Sequence, residues 1–322
     1  MKMLVTGAAG FLGSYISEKY VKEGHLVLGL DNFMNGSLNN IRELLAAKNF
    51  KLLKGDVRKV KEFEQLMSSV GVIFHCAAQI HVDRSIVEPH LTFKCNVLGT
   101  LNILELARKF DVKTLIHLSS SEVYGSALYV PIDEKHPLNA PHPYGASKIA
   151  ADRLCFAYHK TYGIDVRIVR CFNIYGPRQK DSGYGGVISI FVRRVLENLP
   201  PIIYGSGEQT RDYMYIRDSI EGLDSILKAK HQLSGEVINL GTGVEISILN
   251  LAKMIISLLG KENELKPVHV AARPGEVQRL CADITKAREL LGFKPKYAIG
   301  DGLTEFIEWY RRYKSYEWEK PG

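Results

Sequence analysis

The segment 2–13, KMLVTGAAGFLG, decides the fold of this chain. It joins an apolar stretch, Lys2–Thr6, to three glycines spaced G-x-x-G-x-x-G, and the apolar positions of a helix follow from Phe11. A buried strand that runs through a glycine loop into a helix is typical of a dinucleotide site. Glycine lets the backbone approach a pyrophosphate, and the helix N-terminus offers it free N–H groups. We therefore predict a pyrophosphate loop formed by Gly7, Gly10, Phe11, Leu12 and Gly13.

The next apolar stretch, 25–30, ends at Asp31, which lies 18 residues beyond Gly13. An acidic side chain there accepts hydrogen bonds from the adenosine ribose and repels a 2′-phosphate, so the sequence favours NAD over NADP. The glycine spacing differs from the usual G-x-G-x-x-G, so Asp31 is needed as a second indication of a dinucleotide site. A turn at Asp31 and Asn32 is the simpler alternative. Asp56 and Val57 follow the third strand, where Asp56 either reaches the adenine edge or caps the next helix.

Strand and helix patterns alternate through the first half of the chain. This alternation predicts a Rossmann-type doubly wound parallel sheet with helices on both faces. The further strands are expected at 51–54, 71–75, 114–118 and 166–170, and the helices near 38–47, 59–68, 85–109 and from 144. The alternation then stops, which predicts a smaller mixed α/β lobe. We assign 1–170 to the NAD-binding domain, with about 205–245 returning to it, and 171–322 mainly to an interleaved substrate-binding lobe.

Composition narrows the classes of function. With 322 residues, 46% apolar and 24% charged, the chain can bury one large domain or two intertwined ones. The net charge of +7 is spread without a run of five Lys or Arg, which argues against nucleic acid and suits an anionic small molecule. Five cysteines lie far apart without ligand spacing, so we expect reduced thiols and no metal site. No apolar run approaches membrane-spanning length, and a cytoplasmic location is expected.

The candidate catalytic pair is Tyr144 and Lys148, four residues apart on one helix face. An ammonium about 4 Å away contributes roughly 4 kcal/mol at an effective dielectric of about 20, enough to shift a tyrosine pKa by about 3 units. The same spacing recurs on what we take to be solvated helix faces or a tail, at Tyr15/Lys19, Tyr310/Lys314 and Tyr316/Lys320. Only Tyr144 follows an apolar strand ending in serines, 115–121, at the sheet edge where such folds bind ligands.

Several segments together resemble the extended short-chain dehydrogenase/reductase family, and most closely its nucleotide-sugar 4-epimerases and 4,6-dehydratases. They cover nearly the whole chain in the family's order: 6–13, Asp31, 55–56, 75–78, 119–125, 144–148, 173–179, 210–213 and 273–276. The resemblance implies tightly held NAD that is reduced and reoxidised within one cycle. It also implies Tyr144 as the base, Lys148 on the nicotinamide ribose and Ser120 beside the sugar oxygen.

Further site residues are expected along the same segments. Ala77, Ala78, Gln79 and Asn96 are assigned to the cofactor. The first three follow a strand end where a cofactor passes close to the backbone, whereas Asn96 has two alternatives, a bond within its helix or support of the active-site loop. The substrate is expected to be a nucleoside-diphosphate sugar, with UDP favoured. Its contacts are assigned to His81, Ser121, Asn173, Val187, Tyr204, Arg211, Arg273 and Glu276, with surface salt bridges as the alternative for the arginines. The resemblance also implies a homodimer formed through the helices near 85–109 and 144–162.

Glu122 decides which reaction the resemblance implies. In each case Tyr144 takes the proton of the sugar 4-hydroxyl as C4 becomes a ketone. A carboxylate near C5 then favours a 4,6-dehydratase with Glu122 as the C5 base. Two features favour a 4-epimerase of UDP-glucose/galactose or their N-acetyl forms: Ser121 replaces the aspartate of many dehydratases, and segment 181–189 resembles epimerases. In that case Glu122 has only a structural role.

Two other outcomes receive less support from the sequence. A decarboxylase usually carries Tyr-Asp-Glu-Gly-Lys where this chain has Tyr-Gly-Ala-Ser-Lys at 144–148. A non-catalytic NAD-binding sensor usually loses the tyrosine or the lysine, and both are present here together with a serine.

Overall fold

A seven-stranded parallel sheet forms the centre of the fold. The computed structural model describes residues 1–181, 185–229, 233–273 and 275–318. The strands of this sheet are β1 (Lys2–Thr6), β2 (Leu26–Asp31), β3 (Phe50–Lys54), β4 (Val70–His75), β5 (Thr114–Leu118), β6 (Val166–Cys171) and β10 (Val237–Leu240). Their order is β10-β6-β5-β4-β1-β2-β3. Because the order reverses between β1 and β4, a crevice opens at the carboxyl ends of these strands. The predicted Rossmann-type fold is confirmed.

Both faces of the sheet are covered by helices. Side chains of one strand alternate between two cores, with Met3 and Val5 in one and Leu4 in the other, as expected for a strand buried on both faces. The helices are α1 (Phe11–Lys22), α2 (Val82–Val87), α3 (Pro89–Phe93), α4 (Gly99–Lys109), α5 (Pro143–Tyr162), α6 (Val187–Leu196), α7 (Ile216–Lys228), α8 (Ile248–Leu258), α9 (Thr285–Leu291) and α10 (Ile299–Trp318).

A second, smaller lobe covers the carboxyl edge of the main sheet. Its strands are β7 (Asn173–Tyr175), β8 (Ile202–Tyr204), β9 (Thr210–Tyr215), β11 (Glu245–Ser247), β12 (Val268–Val270) and β13 (Arg279–Leu280). β9 pairs with β7, β11 and β13, while β8 pairs with β12. A core of its own includes Val192, Ile203, Leu251 and Phe306. The chain therefore leaves the main sheet after β6, builds part of this lobe and returns to the main sheet as β10.

Three expected helices have a different form in the structure. The segment expected as one helix near 85–109 is α2, α3, a π-helical turn at Lys94–Leu98, and α4. Pro89 starts a new helix because proline cannot donate a backbone hydrogen bond to the preceding turn. The segment near 38–47 is a 3₁₀ helix at Leu38–Ala46, and that near 59–68 is two short ones, Val60–Glu62 and Glu64–Met67.

Two tyrosines expected on solvated faces are packed against the second lobe. Tyr310 is only 2% exposed and belongs to its core, and Tyr15 is partly buried against the same core. The interpretation of these two positions as solvated was wrong, because the second lobe covers them and local spacing does not reveal that cover. The five cysteines are free thiols. Within the described ranges, none of the helices combines the length and the apolar character that crossing a bilayer requires.

Candidate functional site

A cleft of about 760 Å³ lies between the carboxyl ends of the main sheet and the second lobe. It brings together nearly all residues that the sequence suggested. Its lining includes Gly7, Gly10, Phe11, Leu12, Gly13, Asp31, Asn32, Asp56, Val57, Ala77, Ala78, His81, Ser120, Ser121, Glu122, Tyr144, Lys148, Asn173, Val187, Tyr204, Arg211, Arg273 and Glu276. Gln79 and Asn96 are outside this lining. Residues 182–184 of the epimerase-like segment and Pro274 lie outside the described residues.

The glycine loop packs too tightly for any side chain. Gly7 has φ +70°, and a Cβ there would lie 3.0 Å from the amide nitrogen of Ala77. A Cβ on Gly13 would overlap the carbonyl oxygen of Gly7, and one on Gly10 would lie 3.0 Å from the same atom. Helix α1 begins at this loop, and no side chain caps its N-terminus. The loop therefore presents uncovered backbone N–H groups to the cleft, which suits a pyrophosphate.

Asp31 stands at the end of β2 with its carboxylate fixed by the backbone. One oxygen accepts from the N–H of Ala9 at 2.9 Å and the other from the N–H of Phe33 at 2.7 Å. Burial raises the pKa of this carboxyl, and these N–H groups act against that rise. Because each carboxylate oxygen can accept a second hydrogen bond, Asp31 can still bind ribose hydroxyls from the cleft.

Asp56 is held by an arginine beside it. The side chain of Arg58 donates to it at 2.6 Å and 2.9 Å, and the backbone N–H of Arg58 donates at 2.8 Å. The amide of Asn32 adds a bond of 2.7 Å. The hydrogen bonds from Arg58 lower the pKa of the Asp56 carboxyl to about 2. Asp56 therefore orders the turn after β3 as well as lining the cleft.

Gln79 and Asn96 were both assigned to the cofactor, with support of the active-site loop as an alternative for Asn96, and in the structure both side chains support the loop after β4. Asn96 accepts from the N–H of Gln79 at 2.7 Å and donates to its carbonyl and to the Ser147 hydroxyl, both at 2.9 Å. The side chain of Gln79 bonds to the backbone of His81 and to Thr92. Both side chains are buried. They turn away from the cleft because they tie the loop after β4 to the π-helical turn and to α5.

Tyr144 and Lys148 occupy the first two turns of α5 and face the cleft. They are 7% and 5% exposed. The ammonium of Lys148 donates to the carbonyl oxygen of Leu118 at 2.7 Å, and the N–H of Tyr144 donates to the Ser85 hydroxyl at 3.0 Å. Ser120 follows β5, and its hydroxyl accepts from the N–H of Glu122 at 3.2 Å. Helix and strand end thus bring a phenol, an ammonium and a hydroxyl to one wall.

The electrostatics of this pair differ from the sequence-based expectation. Burial raises the pKa of Tyr144, and the Ser120 hydroxyl acts in the opposite direction. Burial lowers the pKa of Lys148, and the buried carboxylate of Asp152 on the next turn acts against this. The net direction for Tyr144 is upward because removal of the phenol from water outweighs its neighbours, whereas the sequence-based expectation was a pKa lowered by Lys148 together with a cationic nicotinamide.

Glu122 lines the cleft beside Ser120 and Ser121, and a histidine lies behind it. Its Oε2 accepts from Nε2 of His142 at 3.0 Å. The Glu122 side chain is 18% exposed, whereas that of His142 is 6% exposed and lies outside the cleft lining. The sequence analysis missed His142. Its only signal was its position before Pro143, at the N-cap of α5.

The second lobe supplies the cationic side chains of the cleft. Arg211 pairs with Glu276 at 3.3 Å, and the guanidinium of Arg273 lies 4.0 Å from the ring centre of Tyr204. Asn173 has a buried side-chain nitrogen that finds no hydrogen-bond partner among the residues described. An unsatisfied buried donor that lines the same cleft as two arginines suits an anionic, hydrogen-bonding ligand.

Comparison with known proteins identifies the group that shares this arrangement. The sequence model of the family described as GDP-mannose 4,6 dehydratase matches residues 4–306. This chain belongs to the nucleotide-sugar epimerases and dehydratases of the extended short-chain dehydrogenase/reductase family. It is 35% identical to a UDP-glucose 4-epimerase of Mycolicibacterium smegmatis, over 97% of this chain and 99% of the relative. It is 34% identical to a dTDP-glucose 4,6-dehydratase of Streptomyces niveus, over 99% and 95%.

A solved structure of this family has the same fold. It is a double mutant of a dTDP-glucose 4,6-dehydratase from Streptomyces venezuelae, crystallised with NAD. It aligns with a TM-score of 0.91 and 32% identity, over 98% of each chain. In this chain the cleft is also lined by residues to which the sequence analysis gave no role, among them Asn35, Arg178 and Gln179. Arg178 and Gln179 lie in segment 173–179, which resembles the family without itself indicating their function.

Proposed function

We propose that this chain is an NAD-dependent nucleotide-sugar 4,6-dehydratase that oxidises the sugar at C4 through Tyr144 and removes the C5 proton through Glu122. The observation that carries the proposal is that Glu122, Ser120 and Tyr144 line one cleft together. The Tyr144 phenol would act on the hydroxyl at C4, and the Glu122 carboxylate in the same cleft would act on the proton at C5. The relatives named as dehydratases and epimerases support oxidation at C4 in either case.

The glycine loop and Asp31 would hold NAD. Gly7, Gly10 and Gly13 leave room for the pyrophosphate, and Asp31 would accept hydrogen bonds from the adenosine ribose. NAD, when bound, supplies the acceptor for the C4 hydride and a positive charge inside the cleft. The carboxylate of Asp31 disfavours a 2′-phosphate, which supports NAD over NADP.

Tyr144 acts as the base toward the 4-hydroxyl. Because burial raises its pKa, the phenol keeps its proton until positive charge accumulates beside it. Lys148 is fixed on the carbonyl of Leu118, two positions before Ser120, so its ammonium stays close to the reacting wall. The Ser120 hydroxyl accepts from the backbone N–H of Glu122 and hydrogen-bonds to the Tyr144 phenol, so it lies beside the phenol where it would meet the sugar oxygen.

Glu122 acts on C5 once C4 is a ketone, because the ketone acidifies the neighbouring C–H bond. The carboxylate takes the C5 proton, the electron pair forms the C5–C6 double bond, and the 6-hydroxyl leaves. Ser121 occupies the position that an acidic residue holds in many dehydratases. Glu122 therefore returns its proton to the leaving hydroxyl, and one water is released. Return of the C4 hydride to C6 and of a proton to C5 would complete the 4-keto-6-deoxy sugar, which is lighter than the substrate by one water.

The second lobe would bind the nucleoside diphosphate. Arg211, Arg273 and the buried amide of Asn173 form a cationic, hydrogen-bonding wall for the diphosphate, and Glu276 would meet the ribose hydroxyls. Tyr204 offers a face against which a uracil base stacks. His81 and Val187 line the same cleft. A UDP-sugar is the ligand that we propose.

A 4-epimerase is the second candidate. A relative named as a putative UDP-glucose 4-epimerase, from Methanocaldococcus jannaschii, is 39% identical over 95% of this chain and 97% of its own length, against 34% for the dehydratase of Streptomyces niveus. The bond from His142 gives Glu122 a structural contact, which an epimerase would also tolerate. In that enzyme the 4-ketose would rotate within the cleft, and C4 would be reduced on its opposite face.

We also propose a homodimer. Apolar side chains remain exposed along α2 and the π-helical turn, with Ile86 53%, Val87 76% and Leu98 42% exposed. Several large apolar side chains exposed within one segment are typical of an interface, and these fall in the helices named for the dimer from the sequence.

The test is incubation with a panel of UDP-, dTDP- and GDP-sugars, followed by mass spectrometry and NMR. A product lighter by one water with a ketone signal supports the dehydratase, and a product of unchanged mass with inverted C4 supports the epimerase. Tyr144→Phe should reduce turnover by about 10²- to 10⁴-fold, the range for losing a general base. Unchanged turnover in this variant would show that Tyr144 is not the base.

A further inference from the structure

His142 lies where the first turn of α5 meets the turn that carries Glu122. Its Nδ1 accepts from the backbone N–H of Gly145 at 3.1 Å, and its Nε2 lies 3.0 Å from Oε2 of Glu122. The imidazole ring is nearly parallel to the ring of Tyr144, with an interplanar angle of 17° and 6.1 Å between centroids. One side chain thus contacts both the helix that carries the base Tyr144 and the carboxylate of Glu122.

These two contacts fix the tautomer of the imidazole. A nitrogen that accepts from an N–H carries no proton, so the single proton of neutral His142 sits on Nε2. The Nε2–H group then donates to the Glu122 carboxylate. The assignment follows from the hydrogen-bond network, in which the backbone donor at Gly145 leaves no alternative for Nδ1.

The backbone of α5 at Gly145 also lies close to the backbone of Glu122. A Cβ at Gly145 would lie 2.7 Å from the carbonyl oxygen of Glu122 and 2.5 Å from the Cβ of Ala140. Only glycine permits this approach, so the first turn of α5 rests directly on the backbone of Glu122. The side-chain bond from His142 adds orientation to a contact that the backbone already makes.

We propose that His142 is a positioning residue that sets the orientation of the Glu122 carboxylate toward C5 of the sugar. The inference rests on the proposed dehydratase function. His142 holds Oε2 from behind, outside the cleft lining, and Oε1 accepts no hydrogen bond from the residues that the structure describes. Oε1 is therefore the oxygen that takes the C5 proton. When Glu122 is protonated on Oε1, Oε2 still accepts from Nε2–H, so the contact lasts through the step and His142 transfers no proton.

The closing experiment separates this contact from the helix cap. In His142→Ser the serine hydroxyl can cap α5 as the imidazole does, but it cannot reach Glu122. Two steps are followed with the same nucleotide sugar: formation of the reduced nicotinamide in a single turnover, which reports C4 oxidation, and exchange of the C5 proton with D₂O. We expect C5 exchange to slow by about 10- to 100-fold, the range for losing one hydrogen bond to a charged group. C4 oxidation should change by less than about 3-fold.

The double variant His142→Ser/Glu122→Gln shows whether His142 acts through Glu122. If it does, His142→Ser adds nothing to the C5-exchange defect of Glu122→Gln. His142→Asn, which also caps a helix, replaces His142→Ser if the serine variant does not fold. Unchanged C5 exchange would overturn the inference, as would an equal loss of both steps, which indicates a helix cap only. If the wild-type enzyme oxidises C4 but neither exchanges the C5 proton nor releases water, the proposed function fails and this inference fails with it.

Discussion

The two halves of the cleft are built by different means. The predicted pyrophosphate and ribose sites of the cofactor half are made of backbone: three glycines of one loop, and a carboxylate that two backbone N–H groups hold at Asp31. The sugar half is made of side chains paired across distant segments, such as Glu122 with His142 and Arg211 with Glu276. In the first half, a side-chain atom added to a glycine would meet backbone. The second half depends on pairs of side chains, which either stay paired or exchange partners when substrate binds.

The largest effect should follow from adding one methyl group to the cofactor half. Gly13→Ala would drive its Cβ into the carbonyl oxygen of Gly7, and backbone on both sides leaves it nowhere to move. We expect the variant to be purified without NAD and to lose activity by more than about 10³-fold, since the C4 step has no hydride acceptor. Bound NAD is measured by absorbance after denaturation.

The matched control is Gly300→Ala in the first turn of α10, where a Cβ would meet nothing within 4 Å. This variant should retain its NAD and be at least as stable as the wild type, because alanine favours a helix by roughly 1 kcal/mol over glycine. Normal NAD content in Gly13→Ala would remove the distinction between the two halves.

The contrast between the halves also explains what the sequence could predict. The glycine loop, Asp31 and the alternation of strands and helices follow from local patterns, because each is a backbone requirement expressed within a few residues. The pairing of His142 with Glu122 joins residues 20 positions apart, and no spacing in the sequence predicts this contact. Gln79 was assigned to the cofactor because it lies near the correct strand end, and for Asn96 support of the active-site loop was left as an alternative. The turn of their side chains into the protein depends on the π-helical turn, which the apolar pattern did not predict.

An intermediate effect is expected in the sugar half. Arg211→Met keeps the apolar stem of the side chain but removes the charge opposite Glu276, and it would leave the diphosphate without one cation. We expect KM for the nucleotide sugar to rise by about 10- to 100-fold with kcat within about 3-fold, since the loss of one charge-assisted hydrogen bond affects binding. Steady-state kinetics measure both constants.

Glu276→Gln is the companion variant. It keeps Arg211 and the shape of the pair, so we expect a rise in KM of less than about 10-fold from one altered ribose contact. A fall in kcat with constant KM in Arg211→Met would contradict the binding role of this half.

The smallest effect concerns Asp56, whose carboxylate in the cofactor half already accepts hydrogen bonds from the side chains of Arg58 and Asn32. Arg58 lowers the pKa of this carboxyl to about 2 in the folded protein, below the unfolded value of about 3.9. A carboxyl with a lowered pKa stabilises the fold above the unfolded pKa, and this stability is lost as pH falls through the folded pKa. The difference in unfolding free energy between the wild type and Asp56→Asn should therefore be constant above about pH 5 and narrow toward pH 2. Denaturant titrations at several pH values measure it, and a difference that widens on acidification would contradict the assignment.

The measurement that tests the central claim most directly is the mass of the product that wild type and Glu122→Gln form from one accepted nucleotide sugar. The glutamine keeps the shape of the side chain and still accepts from His142, but it cannot take a proton from C5. We expect the wild type to release a product lighter by one water, and Glu122→Gln to form it at least about 10²-fold more slowly while C4 oxidation persists. A variant that eliminates water at the wild-type rate would contradict the account and remove Glu122 from the reaction.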